Sequence, residues 1–223
     1  MYKHVIKRLF DILISSVAIV VLAIPMLIVA IAIKIDDPGP VLFKQKRIGK
    51  NKNGQITYFI IWKFRSMKTN TRPDVPTHLL KNSEQHITRV GRFIRKTSLD
   101  ELPQIYQVFF GKLTCVGPRP GLWNQTDLWE AREQYGANDV KPGITGWAQI
   151  NGRDELSIAD KARFDGEYTA ALNKGWFKGF FMDVKCAFGT VIAVLKSDGI
   201  VEGGKEEAEQ EKEQEQEKET EHV

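Results

Sequence analysis

From Ile12 to Ile33 the chain carries no charged residue and is mostly Ile, Val, Leu and Ala. Twenty-two residues wound as an α-helix reach ~33 Å, enough to cross the hydrocarbon core of a bilayer. Pro25 falls inside the run, where it removes one helix hydrogen bond and predicts a break. Basic residues flank both ends, with Lys3, Lys7 and Arg8 before it and Lys34, Lys44, Lys46, Arg47, Lys50 and Lys52 after it. Lys and Arg concentrate on the cytoplasmic side of membrane segments, which asks for both flanks on one face. A broken helix that enters and leaves by the same leaflet satisfies both features. A plain spanning helix with a tolerated proline fits the composition equally well. A signal peptide cleaved at Ala30-Ile31-Ala32 fits poorly, because the apolar run exceeds the usual length of such a region.

Beyond the run, Asp37-Pro38-Gly39-Pro40 predicts a turn. Val41–Phe43 and Ile56–Ile61 read as short strands, with Asn53-Gly54 as a hairpin-like turn between them. A helical stretch is expected near Val90–Arg95 and a second from Ser98 to Phe110, ended at Gly117-Pro118-Arg119-Pro120. Leu122–Tyr135 is helix-like, and the Gly-rich Lys141–Arg153 reads as irregular. Helical patterns resume at Ile158–Leu172 and Phe177–Leu195. In the last of these, Phe177, Phe181, Val184, Phe188, Val191, Ile192 and Leu195 recur at helical spacing. That stripe reads either as ordinary packing or as a face lying in a membrane interface. The expected fold is α/β mixed and mainly helical: a membrane segment over 1–36, a soluble body over 37–201 with amphipathic helices, and a tail over 202–223.

Charge sharpens this division. The formal net charge is +4. The segment Glu202–Val223 holds ten Glu against three Lys, a net of −7, which leaves +11 on residues 1–201. The tail has too few apolar residues to bury and is expected to be disordered or a lone solvated helix. A basic body suits a polyanion: nucleic acid, an anionic bilayer surface or phosphorylated small molecules. No RNA-binding or helix-turn-helix signature is present, so nucleic acid is not expected as a partner. Two cysteines, Cys115 and Cys186, imply no disulfide framework.

Two features carry candidate chemistry. Thr97-Ser98-Leu99-Asp100-Glu101-Leu102-Pro103 contains a Ser-x-x-Glu capping box, with Ser98 as N-cap and Glu101 three residues on. Pro103 conflicts with that register and suits a start nearer Asp100. Either start places two adjacent carboxylates at a helix N-terminus, where the dipole favours anions. Carboxylates there can simply begin a helix; a carboxylate can also act as a nucleophile, and a pair can hold magnesium. The second feature is arginine in rigid surroundings. Arg119 is locked between Pro118 and Pro120, Arg153 follows Asn151-Gly152, and Arg92 and Arg95 lie just upstream of the acids. Guanidinium groups held in this way suit an anionic transition state.

Lys63-Phe64-Arg65-Ser66-Met67, Ser98–Gln104, Gly117–Pro120 and the run Lys141-Pro142-Gly143-Ile144-Thr145-Gly146-Trp147-Ala148-Gln149-Ile150-Asn151-Gly152-Arg153 resemble the bacterial sugar transferase family, the monotopic phosphoglycosyl transferases that initiate glycan assembly. Lys7-Arg8-Leu9-Phe10-Asp11 and the apolar run with Pro25 match as well. The resemblance covers roughly residues 3–200 in the right order, and the length resembles that of the small members. Ile24-Pro25 stands where the family often has Ser-Pro, so the helix break lacks a hydroxyl able to satisfy a freed carbonyl. The Glu-rich tail is no part of the pattern.

The resemblance implies a two-step reaction. Asp100 would attack the β-phosphorus of a UDP-sugar, UMP would leave, and a polyprenol phosphate, normally undecaprenol phosphate, would take the phosphosugar from the enzyme. Glu101 would assist with magnesium or with a proton, the two acids together forming the metal site. Arg119 in its Pro118–Pro120 frame would contact the departing uridine phosphate, and Arg95 would orient the phosphate or the acids. Lys63 and Arg153 would complete the substrate site. The expected location is the bacterial inner membrane, with the catalytic body on its cytoplasmic face, and the expected partners include the bilayer and later glycosyltransferases of the pathway.

Overall fold

The apolar run is helical throughout. The computed structural model describes residues 2–71, 83–152 and 155–196, and in it one α-helix, α1, extends from Lys7 to Asp36. Its most apolar 18 residues have a mean hydropathy of 3.0, and by length and composition it could cross a membrane. The helical winding is continuous through Pro25, which stands inside α1. Only Lys7, Asp11, Ser15, Met26, Val29 and Ile33 of α1 are buried. Between Ser15 and Met26 its aliphatic side chains stand largely uncovered, with Val20 77 % and Ile24 71 % exposed.

Both ends of α1 are tied to the same body. At the N-terminal end Lys7 pairs with Asp183 at 2.7 Å, and Arg8 donates to the carbonyls of Val108 and Phe109. The buried Asp11 carboxylate accepts from Thr114 Oγ1 and from the Cys115 N–H. At the C-terminal end Asp36 accepts from the Val90 N–H, and Asp37 pairs with Arg65. These polar groups fix the course of the helix along the body.

An antiparallel hairpin follows, β1 at Leu42–Ile48 and β2 at Tyr58–Phe64, in register from Leu42 opposite Phe64 to Ile48 opposite Tyr58. Both strands run further toward the C-terminus than their apolar cores suggest: β1 continues through Lys44-Gln45-Lys46-Arg47, whose partners are Trp62 to Phe59 on β2. Asn53 and Gly54 at the turn take positive φ, 53° and 72°, as an Asn-Gly turn requires. Helix α2 spans Arg89–Lys96 and is capped by Thr88 Oγ1, which accepts from the Gly91 N–H. A single 3₁₀ turn at Leu99–Glu101 leads into α3, Gln104–Phe109. The long helix expected from Ser98 to Phe110 is therefore two pieces. Ser98 sits in the left-handed region at φ 57° and makes no side-chain cap, so the capping box does not form.

Strand β3, Thr114–Val116, pairs in parallel with β4, Gly143–Thr145. Between them α4 covers Thr126–Glu133, shorter than the pattern from Leu122 to Tyr135 suggested. The segment expected to be irregular contains β4 and a single helical turn, α5, at Trp147–Ile150. Helices α6, Ile158–Asn173, and α7, Trp176–Lys196, match their expected positions.

Met26, Val29 and Ile33 of α1 pack on Phe64 and Ile94, which binds the C-terminal half of α1 to β2 and α2. A second core joins Tyr2, Val116, Val140, Tyr168, Leu172 and Cys186. On α7, Phe177, Phe181, Phe188, Val191 and Ile192 are each more than half exposed among the described residues, while Val184 of the same stripe is half-buried. Arg153 and the acidic segment 202–223 lie outside the described residues.

Candidate active site

The site is assembled by three elements that the sequence keeps far apart. The 3₁₀ turn presents Asp100 and Glu101, β2 brings Lys63, and the loop after β3 brings Arg119. Lys63 is fixed through its strand: the Trp62 N–H donates to Gln107 Oε1 at 2.9 Å, and Gln107 Nε2 returns a bond to the Ile60 carbonyl at 2.6 Å. Gln107, a buried amide on α3, thereby locks the edge of β2 to the helix that follows the acids.

Glu101 is clamped. Its Oε1 accepts from Lys63 Nζ at 2.7 Å and from Arg119 Nη2 at 2.7 Å, with Arg119 Nη1 3.4 Å from Oε2. Burial alone would raise its pKa, but Arg119 and Lys63 together outweigh burial and hold the carboxyl well below the usual carboxylate range. Glu101 is thus a permanent anion that aligns two cations. Asp100 differs. Its closest cation is Lys63, 3.7 Å away, and it accepts no hydrogen bond among the described residues. Burial pushes its carboxyl above the ordinary value of 3.8; Glu101 adds to the rise, while Lys63, Arg95 and Arg119 oppose it. Its lone pairs are left uncommitted, next to cations that a phosphate could also use.

Arg95 lies in the last turn of α2 and acts on Asp100 through charge at a distance, not through an ion pair among the described residues. Pro118 and Pro120 are buried on either side of a half-buried Arg119. The loop approaches β4 so closely that a Cβ on Gly143 would lie 2.2 Å from the Gly117 nitrogen. Only glycine fits there, so the family-like glycines have a direct steric cause. A cavity of about 220 Å³ lies against Glu101, walled by Leu22 of α1, Leu102 just after the 3₁₀ turn, Ile105 of α3, and Ile144, Ile150 and Ala193.

Two buried residues beside the site escape a reading of the sequence. Arg132 and Asp165 form an internal ion pair, and the same guanidinium donates to the Arg119 carbonyl. Arg132 lies in a stretch rich in charge, Trp129-Glu130-Ala131-Arg132-Glu133, that resembles a solvated helix face, so no spacing signal marks it as internal.

With this geometry in view, the chain belongs to the bacterial sugar transferase family: the family's model matches residues 2–197. Among its relatives is a UDP-glucose:undecaprenyl-phosphate glucose-1-phosphate transferase of Klebsiella pneumoniae, 39 % identical over 190 residues, 84 % of this chain and 39 % of that protein. The uncharacterized sugar transferase EpsL of Bacillus subtilis is 38 % identical over 206 residues, 92 % of this chain and 95 % of its own length. A UDP-N-acetylgalactosamine-undecaprenyl-phosphate N-acetylgalactosaminephosphotransferase of Aeromonas hydrophila is 35 % identical over 196 residues, 87 % of this chain and 44 % of that protein. The chain therefore spans about two fifths of the length of the Klebsiella and Aeromonas relatives.

Proposed function

We propose that this protein transfers a sugar-1-phosphate from a UDP-sugar to a polyprenyl phosphate at the cytoplasmic face of a bacterial membrane. The observation that carries the reading is the unequal carboxylate pair, with Glu101 clamped by Lys63 and Arg119 while Asp100 keeps its lone pairs open. In the first step an Asp100 carboxylate oxygen attacks the β-phosphorus of the UDP-sugar. The bond from that phosphorus to the bridging oxygen breaks, and UMP leaves with the oxygen. Lys63 and Arg119, aligned by Glu101, take up the negative charge that shifts toward the leaving phosphate. In the second step an oxygen of the lipid phosphate attacks the same phosphorus and releases the Asp100 carboxylate, giving a polyprenyl diphosphosugar. The substrates named for the relatives fit both steps.

Magnesium suits the donor set. Asp100 and Glu101 offer hard oxygens, and no third His, Cys, Asp or Glu joins them in a cluster among the described residues. Magnesium takes one or two carboxylates together with water and substrate phosphates, so these two residues would hold it. When bound it neutralises diphosphate charge. Incubation with UDP-glucose, UDP-galactose and UDP-N-acetylhexosamines, each with undecaprenyl phosphate, is expected to yield UMP from at least one donor and none after exhaustive chelation. Absence of UMP from every donor contradicts the proposed reaction, and full activity after chelation contradicts the metal.

The acid limb of UMP formation follows from Asp100. Its folded-state pKa is raised, so the reactive carboxylate is lost as pH falls through a value above 3.8. Lys63→Met removes the largest charge opposing that rise and should move the limb to still higher pH. A pH–rate profile in which the variant's limb stays in place or moves down contradicts this account of Asp100.

The re-entrant topology is supported by the ties at both ends of α1, since one body cannot hold Lys7 and Asp36 from opposite sides of a membrane. The exposed face of α7 and the bare middle of α1 then share one leaflet. In a background of Cys115→Ala and Cys186→Ala, Lys3→Cys and Lys50→Cys should both resist an impermeant thiol reagent in intact cells and react after permeabilisation. Labelling of Lys3→Cys alone in intact cells contradicts re-entry.

A further inference from the structure

Proline has no N–H to donate, so the segment Pro118-Arg119-Pro120 has few backbone donors with which to hold itself. Its carbonyls are the remaining handles, and each of four in succession is used. The Pro118 carbonyl accepts from the Gly143 N–H at 3.0 Å and the Gly121 carbonyl from the Ile48 N–H at 3.0 Å. Between them the Arg119 carbonyl accepts from Arg132 Nη2 at 2.9 Å and the Pro120 carbonyl from Arg47 Nη1 at 3.1 Å. The central two handles are therefore side chains from distant elements. Arg132 is the better built of the two: it is 6 % exposed, and its Nε and Nη2 meet Oδ2 of Asp165, which is wholly buried on α6.

We infer that the Arg132–Asp165 pair is a positioning device for the reaction, setting the main chain of Arg119 so that its guanidinium meets Glu101 and the nucleotide phosphate. The inference rests on the proposed role of Arg119. Asp165 fixes the plane of the Arg132 guanidinium, Arg132 holds the Arg119 carbonyl, and the side chain of Arg119 projects from that fixed point to Glu101 at 2.7 Å. A planar fork is needed to serve a carboxylate and a carbonyl at once, which the point charge of Lys does not provide. The buried charges have a structural cost in desolvation that a hydrophobic pair of similar volume would avoid, consistent with retention for position.

Two variants separate position from fold. Arg132→Lys keeps a charge opposite Asp165 and loses the fork; Arg132→Met with Asp165→Leu removes both charges and keeps the volume. Removing either partner alone leaves an uncompensated buried charge and is not informative. The full-length protein in detergent is measured for its melting temperature, for amide exchange of Gly117, Arg119 and Gly121, and for UMP affinity. At least one variant should keep a melting temperature near wild type, exchange faster at these amides and bind UMP about tenfold or more weakly, the scale of a misplaced binding group. In an Arg119→Ala background the same change should weaken UMP binding no further, since both act through one contact. Unchanged exchange, additive losses in the two backgrounds, or unfolding of both variants overturns the inference. Faster exchange in the variants, where the wild-type protein itself does not bind UMP, leaves the positioning intact and defeats the nucleotide role of Arg119 instead.

Discussion

Asp100→Asn is expected to abolish sugar-phosphate transfer while leaving the protein folded and membrane-bound, with a melting temperature unchanged or slightly raised. The rate should fall by roughly 10⁴- to 10⁶-fold, the scale on which loss of a covalent nucleophile is felt. Stability should survive because the Asp100 carboxylate does so little structurally. It accepts no hydrogen bond among the described residues, its nearest cation is 3.7 Å away, and burial already disfavours its charge. An amide of the same shape removes the desolvation cost and little else. Turnover within tenfold of wild type in purified Asp100→Asn, or a collapse of its fold, is incompatible with this picture.

Glu101→Gln should behave in the opposite way, losing both stability and rate. Its Oε1 lies 2.7 Å from Lys63 Nζ and 2.7 Å from Arg119 Nη2, so a neutral amide leaves the two cations without the anion that bridges them, and only Asp100, 3.7 Å from Lys63, remains close by. The expected loss is about 1–3 kcal/mol, less than for a wholly buried pair, because the Arg119 side chain is 35 % exposed. The rate of UMP formation should fall about 10²- to 10³-fold, as when an aligned transition-state donor is lost. The sign of the pH effect follows from the depressed pKa of Glu101. Its contribution to stability is fully present above the ordinary Glu value of 4.5 and is lost only as pH falls through the lower folded-state value. The difference in melting temperature between wild type and Glu101→Gln should therefore hold constant from pH 5 to pH 7. A difference that vanishes within that window means that Glu101 titrates there and is not clamped.

The long elements were legible because their periodicity or apolarity extends over many residues: α1, α6 and α7 lie where the pattern placed them. The site motif was legible as adjacent acids and a Pro-framed arginine, and the fold brings Asp100, Glu101, Lys63 and Arg119 together. Local rules misled where tertiary contacts overrode them. Ser98 and Glu101 have capping-box spacing, yet two cations draw Glu101 away and Ser98 turns into the left-handed region. Strands β3 and β4 have three residues each, too short for an alternation to show, and Gly143 carries a steric duty that reads as looseness. The apolar stripe of α7 gave the right helix but could not say which side faced out. Burial of Arg132 depends on α6 and on a carbonyl at Arg119, neither of which leaves a mark near position 132.

The central claim is that Asp100 carries the phosphosugar between two half-reactions, and intact-protein mass spectrometry tests it most directly. The purified enzyme, free of polyprenyl phosphate, is incubated with magnesium and the UDP-sugar that supports UMP release, quenched, weighed and digested. The account predicts near-stoichiometric UMP, a mass gain of one phosphosugar confined to the peptide containing Asp100, and its loss when undecaprenyl phosphate is added. UMP that forms only in the presence of the lipid, with no adduct on the enzyme under any quench, would contradict it and point to direct transfer between the two substrates.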